Sequence, residues 1–269
     1  MLKRFIPPVF RIRRKPGIPS PKIYRTFEEA LADCREGGYE QSELARVVVE
    51  KNIIFKENLS NRNELDLPAL RTLIGVGLAD SGDDLRVMDF GGGGGYHYTI
   101  ARKAFGNSKT IKWNVVETEA MSQAAKRISD DNLRFFTTIE AAKNDLGAVD
   151  LVFSSSAIQY CPEPLKYLDR LTRIESKFIF ITRTPFIAGN TEIIAKQNSN
   201  LSDNGPGPLP HGFTDRIISY PITYSSMPVV EKILNERYEI RFKIVEDKAA
   251  YRVGDKEIGM FGYFGVLKP

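Results

Sequence analysis

The chain has 269 residues, 42% of them hydrophobic and 27% charged, with a net charge of +4; this is the balance of a globular protein with a sizeable core, one large domain with additions. No apolar stretch nears the roughly 20 residues that a bilayer-spanning helix needs, and the basic start lacks the apolar run and cleavage site of a secretory signal, so a cytoplasmic protein is expected. Two cysteines, Cys34 and Cys161, exclude a disulfide framework, and without a Cys/His cluster they read as reduced thiols rather than metal ligands.

The charge is unevenly spread. Residues 1–25 hold eight bases and no acid, which leaves the remainder with 30 bases against 34 acids. Five of the 15 prolines also fall in this arm, so it cannot form one regular helix. It reads as a solvated tail; its apolar residues Leu2, Phe5, Ile6, Val9, Phe10 and Ile12 also suit peripheral contact with an anionic membrane surface. Nucleic acid is not expected as a partner, because the body offers no basic stripe to extend the footprint.

From Thr26 the pattern becomes regular. TFEEALADCRE opens with Thr26 and Glu29 in capping-box spacing, and two further helical patterns follow in SELARVVVEKNIIFKENL and LPALRTLIGVGLAD. Residues 26–82 thus form an expected helical region. After Asp83 strands and helices alternate: LRVMDF, YHYTIARKAF, IKWNVVE, TEAMSQAAKRI, LRFF, TIEAAKNDL, VDLVFSS, PEPLKYLDRLT and KFIFIT. Such alternation predicts a parallel, doubly wound sheet with helices on both faces. Residues 183–226, rich in Gly, Pro, Asn and Ser, are expected as an irregular functional loop or lid. Helix SSMPVVEKILNE and two strands, YEIRFKIVED and GMFGYFGVLK, close the chain, the last two antiparallel to each other.

Five consecutive glycines, Gly91 to Gly95, lie between the first strand of this series and its helix. In open α/β sheets that is where ligands meet bare backbone. A nicotinamide fingerprint fails, since its sixth position falls on Tyr96 or His97, and a Walker A loop fails for want of a following Lys-Ser or Lys-Thr. Asp89, Gly91, Gly93 and Gly95 instead form Asp-x-Gly-x-Gly-x-Gly. This resembles the first motif of Rossmann-like, class I S-adenosylmethionine-dependent methyltransferases. The resemblance spans residues 83–269 and implies a seven-stranded, mainly parallel sheet with an antiparallel terminal strand, and S-adenosylmethionine as cofactor.

It also implies site residues. Glu117, ending the second strand, takes the place of the acid that accepts both ribose hydroxyls; Phe136 or Thr137, at the close of the third, borders the adenine. The fourth strand, with Ser154 and Ser155 in VDLVFSSSAIQY, resembles the segment after which cofactor and acceptor meet. Read from the residues themselves, His97 stands at the start of a helix after the glycines and is expected at the cofactor. Tyr160 and Arg183, just beyond the fourth and fifth strands, are expected to face the acceptor together with Asp215. His211, in GPGPLPHGFTD, is the expected general base, because loops over strand ends carry such contacts. His211 and Asp215 alone are too few for a metal.

A narrower resemblance lies in residues 24–52, 89–98 and 154–164 and in RFIPPVFR of the arm. These are similar to a group of methyltransferases associated with bacterial cell-surface polysaccharide biosynthesis, which implies a small-molecule or glycan acceptor methylated on oxygen. A cofactor-binding, non-catalytic scaffold in a glycan-assembly complex is the alternative reading; a dehydrogenase is disfavoured by the failed glycine register.

Overall fold

The computed structural model describes residues 21–34, 40–61, 64–65, 68–79, 82 and 84–269, with 249 and 251 as backbone only. The expected membrane contact of the arm therefore lies outside the described residues, apart from 21–25. A two-residue strand, β1 (Ile23–Tyr24), precedes three helices: α1 (Phe27–Ala32), α2 (Ser42–Asn61) and α3 (Ala69–Leu78). Thr26 caps α1 by accepting from the Glu29 N–H at 3.1 Å, and the Glu29 carboxylate returns to the Arg25 N–H at 3.0 Å.

The alternating series follows as β2 (Asp84–Phe90), α4 (Tyr96–Phe105), β3 (Thr110–Val116), α5 (Glu119–Ala125), β4 (Leu133–Phe136), α6 (Ile139–Leu146), β5 (Leu151–Ser155), α7 (Pro164–Thr172) and β6 (Phe178–Ile187). Beyond it come β7 (Ile193–Asn200), β8 (Ile217–Ser226), α8 (Met227–Arg237), β9 (Tyr238–Val253) and β10 (Lys256–Leu267). β4, β3, β2, β5 and β6 pair in that order and in parallel. β10 then pairs antiparallel with both β6 and β9, so β9 runs with the first five. The main sheet is the expected Rossmann-like one of seven strands, its antiparallel member last in sequence but next to last in space.

Helices cover both faces, as parallel crossovers require. On one face Ile139, Leu168 and Leu234 of α6, α7 and α8 join Val152, Ile179 and Ile181 in one apolar cluster. On the other, Val76 of α3 and Tyr98 of α4 join Trp113, Phe153, Phe180 and Phe264. Each such side chain contributes about 1.5–3 kcal/mol by leaving water. α3 comes close to the sheet because it presents Gly75, where a Cβ would stand 2.6 Å from the Phe180 ring.

Residues 183–226 are a correction to the sequence reading. In place of an irregular loop, β6 runs on to Ile187, and β7 and β8 form an antiparallel hairpin in register from Ile193–Tyr224 to Asn200–Ile217. β8 joins the main sheet where Ser225 and Ser226 pair with Phe186 and Ile187, and β1 edges β7. Ile218, Tyr220, Ile222 and Tyr224 alternate as buried residues along β8, and Leu201, Ile218 and Tyr220 cluster with Leu44, Val47 and Val48 of α2. The buried Lys51 of α2 donates to the Ser202 carbonyl at 2.7 Å, and Lys196 of β7 reaches the Asp33 carboxylate at 2.7 Å.

Gly75→Leu is expected to force α3 away from Phe180 and to lower stability by about 1–3 kcal/mol. Urea unfolding followed by far-ultraviolet circular dichroism measures this; an unchanged midpoint would contradict the close packing of α3.

Candidate functional site

β2 carries Asp89 into the core and then turns sharply through the glycines. Gly91, at φ 73°, donates its N–H to the Val116 carbonyl at 2.9 Å, which ties the turn to the end of β3. A Cβ there would stand 2.1 Å from that of Ala157, so the segments after β2 and β5 touch backbone to side chain only because Gly91 has none. Gly92 lies over Asp89, whose Oδ2 would be 2.3 Å from an added Cβ.

Asp89 is fully buried, and its Oδ2 accepts from the Trp113 indole N–H at 3.0 Å and from His97 Nδ1 at 2.9 Å. His97 itself is wedged edge-on against Phe153, with ring centroids 4.7 Å apart, and its side chain is 12% exposed. Asp89 and His97, both expected at the cofactor, therefore support the turn from behind.

The turn opens on a cavity of about 520 Å³ at the carboxyl ends of β2 to β5. This is the size of a small-molecule site, about 300–1,000 Å³, in the place where open α/β sheets bind ligands. Glu117 lines it, immediately after β3. Its Oε1 accepts from the Gly93 N–H at 2.9 Å and its Oε2 from the Thr118 N–H at 3.0 Å. Burial pushes the Glu117 carboxyl up to about 7; these two hydrogen bonds oppose the shift, and the nearby Asp89 and Glu40 carboxylates add to it. The same burial raises the Cys161 thiol to about 12, so it is a neutral part of the wall.

Of the residues singled out in the sequence, Gly91, Glu117, Thr137 and Tyr160 line this cavity, and Gly93 orients Glu117. Gly95, at φ 82°, starts α4. Phe136 packs into the core beneath, and the lining at the end of β4 comes from Thr137 and Thr138. Ser154 is buried with its hydroxyl on the Phe90 carbonyl at 3.0 Å, and Ser155 is buried beside it; Ser156, at φ 58°, is the serine that reaches the cavity. Tyr160 is held by Gln197 of β7 at 3.3 Å and edge-on by Tyr220 of β8, so the hairpin fixes its place.

Three expected acceptor residues are elsewhere. Arg183 is exposed, and its backbone N–H donates to Glu246 of β9. Asp215 is exposed and accepts from the N–H and hydroxyl of Ser202 at 3.0 and 2.7 Å. His211 is exposed in the turn between β7 and β8 and does not line the cavity. The far wall instead comprises Phe27 and Leu31 of α1, Glu40 before α2, Tyr167 and Arg170 of α7, and Pro221 of β8. Tyr167 and Arg170 share a helix face at i, i+3, which their sequence spacing discloses; Pro221 comes from a strand that the composition of 183–226 concealed. Arg170 is itself neutralised by two hydrogen bonds to Glu140, at 2.8 and 3.0 Å.

No protein-family model matches the sequence, and no curated protein matches it. Solved structures resemble it in part. An S-adenosylmethionine-dependent methyltransferase from Clostridium acetobutylicum aligns over 77% of this chain and 94% of its own, at 13% identity and a TM-score of 0.47. A sugar N-methyltransferase from Streptoalloteichus aligns over 80% and 93%, at 14% identity and 0.46. A 1,6-didemethyltoxoflavin N1-methyltransferase from Burkholderia thailandensis, with S-adenosylhomocysteine bound, aligns over 76% and 78%, at 13% and 0.41. Likenesses of this size carry no conclusion about chemistry, which rests on the cavity.

Glu117 makes stability depend on pH. Its folded pKa is raised from 4.5 to about 7, so its contribution is fully present below pH 4.5 and is lost as the pH rises through 7. Glu117→Gln is expected to remove that loss, gaining on the parent protein between pH 5 and 8 by up to about 3 kcal/mol. Urea unfolding at each pH measures the difference; a constant gap would mean that Glu117 titrates normally.

Proposed function

We propose that the chain is an S-adenosylmethionine-dependent methyltransferase acting on a hydroxyl of a sugar or glycan precursor. The observation that carries this reading is the Glu117 carboxylate, fixed by the Gly93 and Thr118 N–H groups on the wall of a cavity bordered by the glycine turn. The donor set fits an adenosyl cofactor. Glu117 has lone pairs left for two ribose hydroxyls, Thr137, Thr138 and Ile139 offer polar and apolar edges to a base, and Gly91 leaves backbone bare. Glu117, Glu40 and Glu119 on the wall favour a cationic ligand over a diphosphate, which adds to the failed nicotinamide register.

When bound, the cofactor supplies an electrophilic methyl group on a sulfonium centre. The chain's own part is to position the acceptor and take up its proton. Tyr160 and Tyr167 supply aromatic lining for an acceptor, beside Phe27 and Pro221. Glu40, at the cavity rather than remote like His211, is the group we assign to accept the hydroxyl proton. Such mixed aromatic and polar walls suit a sugar, which has both C–H faces and hydroxyls. The sequence resemblance to methyltransferases associated with surface polysaccharides supports the same acceptor class.

Calorimetric titration is expected to show micromolar binding of S-adenosylhomocysteine and none of NAD. Glu117→Ala should weaken binding by about 1–3 kcal/mol. Because the ionised carboxylate is the form that accepts ribose hydroxyls, affinity should rise as the pH passes from 6 to 8, and the rise should vanish in Glu117→Gln. Affinity independent of both would refute the ribose role. Incubation with labelled donor and a panel of nucleotide sugars is expected to label at least one; binding without any labelled acceptor would favour the non-catalytic scaffold.

Glu40→Gln is expected to lower turnover by about 100-fold with binding of S-adenosylhomocysteine, which has no sulfonium charge, kept. Full activity in that variant would leave positioning alone to explain catalysis.

A further inference from the structure

Gln41 is a buried amide without a partner. Its residue is 8% exposed, and neither Nε2 nor Oε1 has a hydrogen-bond partner among the described residues. A polar group left so forfeits its hydration and gains nothing in exchange, a state that folded proteins keep only for a reason. Gln41 stands immediately ahead of α2, where its carbonyl accepts the Ala45 N–H at 3.1 Å. Val48 and Asn52 follow on the same stripe of that helix, about two and three turns on. Both meet the glycine turn: Val48 Cγ1 is 3.4 Å from where a Cβ on Gly93 would stand, and Asn52 Nδ2 is 2.7 Å from that of Gly94. Glu40, the residue before Gln41, lines the cavity, and its charge is felt by Glu117. The stripe therefore runs from the cavity to the glycine turn, and Gln41 lies between the two.

We propose that the Gln41 side-chain amide binds the amino-acid end of the S-adenosyl cofactor. This rests on the cofactor reading above, and strand order gives the direction. With a base at Thr137 and Thr138 after β4 and a ribose at Glu117 after β3, the next strand across is β2, so the rest of the ligand runs to the glycine turn and the start of α2. That end is a zwitterion, with a carboxylate that only accepts and an ammonium that only donates. One side-chain amide matches both, as Nε2 donates to the carboxylate and Oε1 accepts from the ammonium. Asn52, whose Oδ1 is also unpartnered, is committed behind the turn, its Nδ2 donating to the Val48 carbonyl at 2.8 Å. Burial strengthens bonds that Gln41 makes to a charged ligand, just as it penalises the empty amide. Gln41 is thus a residue that binding needs and folding does not.

The test compares two ligands by calorimetry at one pH: S-adenosylhomocysteine, and 5′-methylthioadenosine, which keeps the base, ribose and thioether sulfur without the amino-acid end. Gln41→Met preserves length and removes both polar atoms. It is expected to bind S-adenosylhomocysteine about tenfold or more weakly than the native protein, and 5′-methylthioadenosine equally well. Glu117→Ala, which acts on the ribose, should weaken both ligands alike. Without ligand, Gln41→Met or Gln41→Leu should melt at or above the native temperature, because an unpaired amide is no longer buried. Unchanged affinity for S-adenosylhomocysteine, or an equal loss for both ligands, would overturn the proposal and leave the cofactor reading standing. So would a lower melting temperature in both variants, which would mark the amide as part of the fold. Failure of the native protein to bind either ligand would overturn the cofactor reading and this proposal together.

Discussion

The candidate site depends on one buried carboxylate. Asp89 lies at zero exposure inside the main sheet, a position that is costly for a charge unless it is paired and hydrogen-bonded. Trp113 of the neighbouring strand and His97 of the following helix both donate to its Oδ2, and Gly92 passes directly above. These contacts bind β2, β3 and α4 to one point and set the path of the glycine turn. From that path follows the Gly93 N–H, from that N–H the orientation of Glu117, and from Glu117 the polar wall of the cavity. Hydrogen bonds to charged groups contribute about 1.5–3 kcal/mol each, enough to hold a turn whose glycines lose more conformational freedom on folding than any other residue.

α2 braces the same turn from outside. The Asn52 side chain stands where a Cβ on Gly94 would be, at 2.7 Å, and one turn earlier Val48 packs with Leu201 and Tyr220. Lys51, next to Asn52, closes the link to the β7–β8 hairpin through Ser202. The helix therefore has the glycine turn on one side and the hairpin on another, and the hairpin in turn fixes Tyr160 and supplies Pro221 to the cavity. Segments more than 100 residues apart in sequence thus meet around one ligand-sized space.

The alternating series was legible because its signals are local. LRFF and YHYTIARKAF occupy the strand and helix that their periodicity implies, and apolar strands between helices admit only a parallel sheet with crossovers on both faces. The β7–β8 hairpin was not legible. IIAKQNSN buries Ala195 against a partner 27 residues away, and its Asn and Ser content favours turns wherever no partner is present. Strand pairing at that distance leaves no trace in composition.

At the site, chain order in the sequence put the glycine turn at the end of β2, and the family resemblance implied Glu117 at the end of β3. Only the tertiary structure decided which neighbours face the cavity. Ser154 and Ser156 differ by two positions, yet one hydroxyl bonds to β2 and the other residue lines the cavity, because Ser156 turns to positive φ beyond the strand. Phe136 enters the core, while Thr137 borders the cavity. His211, in a turn whose composition suggested a site, stands in solvent, while Glu40, Tyr167 and Arg170 converge on the cavity. The physical reason is that side-chain direction is set by local backbone twist and by packing between distant elements, and neither is encoded in residue type or spacing.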